Sequence, residues 1–259
     1  QSTWGNIPKI YEPNGEYVFV SQTMSLGISF LLTLKSLSLL AFFFYIRSHN
    51  FNFTSLLFLY ASLVSLFVSI ASHPRVNLPF LLGKKADGTF PLWSTIIFSP
   101  YIYFVRVFSS VRRSVIGEEP FTMISPGIYV GGWPSSTHRC PPGNPAIVDC
   151  TCEFPRKAGL GSSYFCVPTW DTRSPRSEEI ESAVKWAVGK RAQTTPVFVH
   201  CAYGHGRSVA VTCAVMVAMG IAEDWKMAEN MIKDKRPKIS MNSLHRRALE
   251  DWTKQRLSK

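Results

Sequence analysis

The stretch VFVHCAYGHGRSVAV runs from Val197 to Val211. It sets a lone thiol, Cys201, before a glycine-rich turn and closes that turn with Arg207. A β-branched run leads in and a long apolar run leads out, which predicts a strand, a tight loop and a helix. In α/β proteins ligands bind outside the carboxyl ends of the strands. A turn that opens a helix there offers backbone N–H groups and the positive dipole end to an anion. Gly204 and Gly206 permit the tight curl and a close approach of backbone to ligand. The same surroundings lower a thiol's pKa and make it a nucleophile. Arg207 adds a planar fork matched to two oxygens of a phosphate. A buried strand cysteine beside a glycine turn is the competing reading. It does not account for His200, Gly204, Gly206 and Ser208 all falling where phosphate chemistry needs them. Ala202, Tyr203, Gly204, His205 and Gly206 then form the phosphate cradle.

The elements that hold this turn are legible on either side. GIYVGG (127–132), PAIVDC (145–150), YFCVP (164–168) and PVFVH (196–200) read as short strands. SPRSEEIESAVKWAVGK reads as an amphipathic helix capped by Ser174, with Pro175 in its first turn. SVAVTCAVMVAMG is apolar all round and reads as a buried central helix stopped by Gly220. Two further amphipathic helices, separated by Pro237, complete the chain. The expected fold is α/β: a mainly parallel sheet flanked by helices and covered on both faces, preceded by an all-α membrane segment.

That preceding segment differs in composition. Residues 17–46 are apolar except for small polar groups and Lys35, and residues 53–72 carry no charge. Each is long enough to span a bilayer as a helix. A third run, 90–108, is apolar and aromatic but interrupted by Pro100 and Arg106, which suits the membrane interface. Lys35 must pair, face a polar cavity or mark a shorter span. Basic residues cluster after the second run, at Arg75, Lys84, Lys85, Arg106, Arg112 and Arg113. By the positive-inside rule residues 73 onward are cytosolic and the first two spans form a hairpin. The division expected is a membrane-associated region at 1–113, with two or three hydrophobic helices, and a catalytic domain at 114–259.

The segment HCAYGHGRS resembles the HCxxGxxRS signature of cysteine-dependent protein tyrosine and dual-specificity phosphatases. The resemblance extends over about 124–255 and takes in ISPGIYVGG, IVDCTCEFP and RPKISMN. It implies a dual-specificity-phosphatase-like fold with Cys201 as the nucleophile of a phosphocysteine intermediate and Arg207 as phosphate clamp. It implies Ser208 as the hydroxyl that eases thiolate departure, and His200 as a residue that helps set the thiolate. The family also places an acid about thirty residues upstream. VPTWDTRSP supplies Asp171, an exposed loop carboxylate suited to protonating a leaving oxygen. Asp149 ends another strand and reads as structural. No phosphotyrosine-loop motif of the larger tyrosine-specific enzymes is present. That points to the compact branch, open to phosphoserine, phosphothreonine and phosphotyrosine.

The formal charge of +11 favours anionic partners. The loop AYGHG has no lysine, whereas lipid-directed members of the family commonly carry lysines there. A phosphorylated protein is therefore the expected substrate, at a membrane, with a phospholipid such as a phosphoinositide or phosphatidylglycerophosphate as the alternative. An inactive phosphate-binding scaffold is the second alternative, opposed by the presence of Cys201, Arg207 and Asp171 together. No nucleic-acid module accompanies the charge. The six cysteines form no CxxC pair and no Cys/His set with zinc spacing, so no metal or other cofactor is expected. They read as free thiols of a reducing compartment. Some members of the family protect an oxidised nucleophile with a second cysteine. Cys152 and Cys150, near the end of a neighbouring strand, are the candidates here.

Overall fold

In the computed structural model, which describes residues 27–49 and 52–258, the chain forms eight α-helices and five strands. Helices α1 (Gly27–Ser48) and α2 (Asn52–Ala71) make an antiparallel hairpin. Residues 17–26, where the first apolar run begins, lie outside the described residues. Among the described residues α1 and Phe53–Ala71 are the two helices long and apolar enough to cross a membrane.

Their packing is inverted relative to a water-soluble core. Ser29, Ser36, Ser62, Ser69 and Ser72 are buried between the arms, while Leu34, Leu37, Leu63 and Leu66 point outward. Ser36 and Ser62 exchange hydroxyl-to-carbonyl bonds of 2.9 and 2.8 Å, and Thr33 meets Ser69 at 2.8 Å. Small hydroxyl residues let two helix backbones approach closely and bond across the seam. Lys35 is paired: its Nζ donates to the Pro100 carbonyl at 3.2 Å and lies 4.0 Å from the Phe104 ring centroid.

The third apolar run is two helices, α3 (Leu92–Ile97) and α4 (Ser99–Ile116), jointed at Phe98. Pro100 sits in the first turn of α4, where its missing N–H costs nothing. Tyr101, Ile102 and Val105 face inward; Tyr103, Val107, Val111 and Val115, four residues apart, form an exposed stripe.

The sheet contains β1 (Phe121–Ser125), β2 (Ile128–Gly132), β3 (Ala146–Asp149), β4 (Ser163–Cys166) and β5 (Val197–Cys201). Its order is β1-β2-β5-β3-β4. All neighbours are parallel except the edge pair β1–β2, which is antiparallel. The mainly parallel α/β expectation holds; β1 is the strand that sequence patterning did not reveal. One face carries Val130, Val148, Val197 and Val199 against the helices α5 (Ser177–Ala192), α6 (Arg207–Ala218), α7 (Trp225–Lys235) and α8 (Ser243–Leu257). On the other face Ile147, Phe198 and Tyr129 are covered by loop residues such as Leu160 and Cys140 rather than by helices. Helix α6 is the buried central helix, with Gly220 in the left-handed conformation just beyond it. Helix α5 starts later than the sequence suggested: Arg176 is its cap, and its backbone N–H donates to Glu179 at 2.8 Å. Ser174 and Pro175 remain in the loop before it.

The two regions share a core. Leu32, Val68 and Ala71 of the hairpin and Leu82, Tyr101 and Ile102 beyond it pack with Cys152, Phe154, Trp170 and Ala202. The composition break near residue 113 falls in the last turn of α4, and this packing crosses it.

Candidate active site

Strand β5 runs between β2 and β3, with Gly132 beside Cys201 and Asp149 beside His200. Cys201 therefore stands at the carboxyl edge of the central strand. The loop from Ala202 to Gly206 curls over it into α6. Gly204 has φ +78°, and a Cβ there would lie 2.5 Å from the Gly131 carbonyl carbon, so only glycine fits. At Gly206 a Cβ would lie 2.8 Å from Cε1 of His245.

The loop's carbonyls are pinned outward. Arg236 Nη2 donates to the Tyr203 carbonyl at 2.9 Å and Nε to the Gly204 carbonyl at 3.2 Å. The Ser240 N–H donates to the His205 carbonyl at 2.8 Å. In a trans peptide the next N–H points the opposite way. The N–H groups of Gly204, His205 and Gly206 are thereby turned away from Arg236 and Ser240. The first of them donates to Cys201 Sγ at 3.3 Å. Ser208 Oγ donates to the same sulfur at 3.3 Å. Burial alone would raise the Cys201 thiol. The Arg207 guanidinium and the bonds from Ser208 and the loop outweigh it and hold the thiol below its ordinary value.

Arg207 is itself fully engaged. Nη1 donates to Glu153 at 3.1 Å and to the Thr169 carbonyl at 2.8 Å; Nη2 donates to Glu153 at 2.9 Å and to Asp171 at 3.0 Å. Glu153 is buried and holds the guanidinium bidentately, which fixes its plane. Asp171 is part-exposed at the loop's edge, 3.0 Å from Arg207.

Residues 129–255 match the family model described as dual specificity phosphatase, catalytic domain. The C-terminal half of the chain is a dual-specificity phosphatase domain. It makes the chain an enzyme of the protein-tyrosine and dual-specificity phosphatase class. No curated protein matches the sequence. Among solved structures, Tk-PTP in the active form is similar at 18% identity and a TM-score of 0.47, covering 52% of this chain and 97% of that one. PTPMT1 in complex with PI(5)P is similar at 17% identity and 0.46, covering 53% and 97%. Human DUSP28 is similar at 18% and 0.45, covering 55% and 97%.

The phosphatase domain brings Cys201, Arg207, Asp171 and Ser208 together, with Ala202 to Gly206 as the loop between them. His200 stands apart. Its ring packs 5.6 Å from that of Phe198 on the opposite sheet face, and its Nδ1 is 3.4 Å from the Cys201 carbonyl. Burial keeps this imidazole below its ordinary pKa, and its Nε2 stands 3.8 Å from Asp149. His205 is tied to Glu118 at 2.6 Å, outside the phosphate cradle. Burial lowers its pKa, and Glu118 offsets only part of that. Cys150 follows β3 directly, on the helix-covered face beside Cys201; Cys152 lies in the cluster shared with the hairpin, 3.6 Å from Glu153. Burial pushes both of these thiols well up.

Four residues that sequence reasoning missed complete the surroundings: Glu153, Arg236, Lys84 and Arg173. Lys84 is fully buried, and its Nζ donates to Asp149 at 2.7 Å and to the Thr151 carbonyl at 2.8 Å. Tyr164 donates to Asp149 at 2.6 Å. Burial would raise the Asp149 carboxyl, but Lys84 and these bonds pull it down to about 2. Asp149 is thus structural, as its place at a strand end suggested.

Proposed function

We propose that the chain is a membrane-anchored phosphomonoesterase that removes phosphate from tyrosine, serine and threonine of proteins through a phosphocysteine intermediate. The Cys201 thiolate attacks phosphorus, an S–P bond forms and the P–O bond to the leaving group breaks. Asp171 gives its proton to the departing oxygen. Water then attacks the phosphocysteine, Asp171 takes a proton back, and Ser208 donates to the departing sulfur. Because all four terminal N–H groups of Arg207 are engaged, an incoming phosphate takes the place of Asp171 on Nη2. That exchange releases Asp171 toward the leaving oxygen. The observation that carries the reading is the convergence of the Gly204 N–H and Ser208 hydroxyl on one sulfur beneath an arginine.

A protein substrate is supported by the loop itself. Its one basic side chain, His205, is held by Glu118, leaving no loop cation for a second phosphate. Membrane anchoring is supported by the outward apolar faces of α1 and α2. The exposed stripe of α4 lies alongside, and α4 touches the phosphate loop: Tyr203 Oη donates to Ser109 at 3.1 Å, and Arg112 lies 4.4 Å from the Tyr203 ring centroid. The boundary at 113/114 and a cytosolic catalytic domain belong to this proposal, the latter from the basic residues after α2. A lipid phosphate is the second reading, favoured by this nearness of an apolar, arginine-bearing helix to the phosphate loop. The basic residues of α8 contribute less to it, since Arg246 pairs with Glu229 at 3.0 Å.

The test is phosphate release by the full-length protein from phosphopeptides, and from phosphoinositides and phosphatidylglycerophosphate in vesicles. Phosphopeptides are expected to be the better substrates, and Cys201→Ser is expected to abolish turnover on all of them. Turnover confined to the lipids would replace the first reading with the second, and turnover surviving in Cys201→Ser would end both.

A further inference from the structure

The loop that carries Asp171 does not stand alone. Between β4 and α5 it crosses the open end of the hairpin. Trp170 is fully buried, edge-on to Tyr101 of α4 at 6.0 Å between ring centroids, in the cluster that holds Leu32, Val68 and Ala71. Arg173, also buried, reaches further. Its Nε donates to the Ser72 carbonyl at 2.9 Å and its Nη2 to Ser29 Oγ at 3.1 Å. The Ser29 and Ser72 hydroxyls are themselves 3.2 Å apart, so one guanidinium grips both arms of the hairpin at one point. Ser72 directly follows α2, where carbonyls lack helical partners and the dipole favours a cation.

Between Asp171 and Arg173 stands Thr172, with φ +63°. A β-branched residue holds that left-handed conformation only where its surroundings impose it. Here they do. The Thr172 carbonyl accepts from Asn242 Nδ2 at 2.8 Å, and its N–H donates to Asp171 Oδ1 at 3.1 Å. Gly27 of α1 packs so tightly against Thr172 that a Cβ would strike its side chain. By contrast Cys201 is held by β5 and the start of α6, and Arg207, besides its bonds to Thr169 and Asp171 of the loop, is fixed bidentately by Glu153.

We propose that Arg173 is a positioning residue for the acid step, and that the α1–α2 hairpin is the platform it grips. The hairpin thus acts as part of the catalytic machinery as well as an anchor. This rests on the reading of Asp171 as the general acid. A buried guanidinium is costly to desolvate, and a purely packing anchor would use an apolar side chain. What a guanidinium supplies is direction: two bonds to two helices set the height and twist of the loop that presents Asp171. Loosening it affects protonation of the leaving oxygen and spares attack by the thiolate.

Leaving groups separate these steps. Full-length protein in detergent micelles is assayed on p-nitrophenyl phosphate, whose phenol leaves without help, and on phenyl phosphate, whose phenol needs a proton. Asp171→Asn is expected to lose on the order of 10²-fold or more in kcat/KM, which reports formation of the phosphocysteine and not its hydrolysis, on phenyl phosphate and far less on the nitrophenyl ester. Arg173→Met is expected to show the same selectivity at about 10-fold, in the lower part of the range for misplaced groups. The alkylation rate of Cys201 by iodoacetate stays unchanged. Arg173→Lys regains part of the loss, and Ser29→Ala gives a smaller loss in the same direction. Should Arg173→Met not accumulate folded, the last two variants carry the test on the same ratio. A wild-type ratio in the Arg173 variants, or an equal fall on both esters together with slowed alkylation, overturns the proposal while leaving Asp171 in its role. Absence of leaving-group selectivity in Asp171→Asn overturns the acid reading, and this proposal falls with it.

Discussion

The hairpin and the sheet bury opposite things. Between α1 and α2 the buried seam is lined by serines, the outward side chains are mostly leucines and phenylalanines, and Leu32, Val64, Val68 and Ala71 are buried in the core shared with the phosphatase domain. In the sheet region the buried side chains are valines, isoleucines and alanines. The two regions follow different packing rules, and the hairpin's is the one that suits hydrocarbon, where apolar burial gains nothing and small polar seams hold helices together. In water apolar burial is the main driving force. The two regions nevertheless meet in a third zone that follows neither rule. There Lys84, Asp149, Glu153, Arg173 and Arg207 are all buried, each with a partner. The proposed catalytic residues Arg207 and Asp171 sit at that zone.

Cutting the regions apart gives the largest expected effect. The fragment 114–259 loses the cover of Trp170 and Phe154 and leaves Asp149 without Lys84. It is expected to aggregate and to release no phosphate from p-nitrophenyl phosphate; a monomeric fragment with full turnover would show the regions to be independent. Next is Lys84→Met, which strands a buried carboxylate at a cost of about 3–5 kcal/mol. A thermal melt would show it, with part of the loss restored by adding Asp149→Asn. The sign in pH follows from the depressed Asp149 carboxyl. The stability it contributes is fully present above the ordinary aspartate value, about 4, and is lost as pH falls toward about 2. Wild-type protein should therefore shed stability in that window, and Lys84→Met should shed less. A smaller contrast sharpens the difference in packing. Ile128→Ala, in the sheet core, is expected to cost about 2–5 kcal/mol. Leu63→Ala, on the outer face of α2, is expected to stay within about 0.5 kcal/mol, as exposed substitutions usually do. Equal costs would erase the contrast. The smallest effect is redox. Peroxide oxidises the Cys201 thiolate to a sulfenic acid, and attack by the Cys150 thiol then releases water and forms a disulfide. Peptide mapping is expected to find the Cys150–Cys201 link and to lose it in Cys150→Ser but not in Cys152→Ser.

Much of this was legible in the residues. Four of five strands and the order thiol, glycine turn, arginine follow from periodicity and turn chemistry. Strand β1 was not, because FTMIS is short and half polar; pairing with β2, with a shifted register between Met123 and Ser125, makes it a strand. The start of α5 was misplaced because Ser174-Pro175 has good capping chemistry of its own. The loop before it is instead held by Arg173, whose partner Ser29 is 144 positions away. Glu153 and Lys84 had no local signal for the same reason. A lone charge gains meaning only from what the fold sets beside it, and Lys84 meets Asp149 across 65 positions.

That last contact has a bearing on descent. Any recombination joint between residues 85 and 148 with an unrelated partner would separate a buried cation from its buried anion, leaving each product with one uncompensated charge. The helical arm and the phosphatase domain are therefore expected to pass from ancestor to descendant as one heritable block, and not as exchangeable parts.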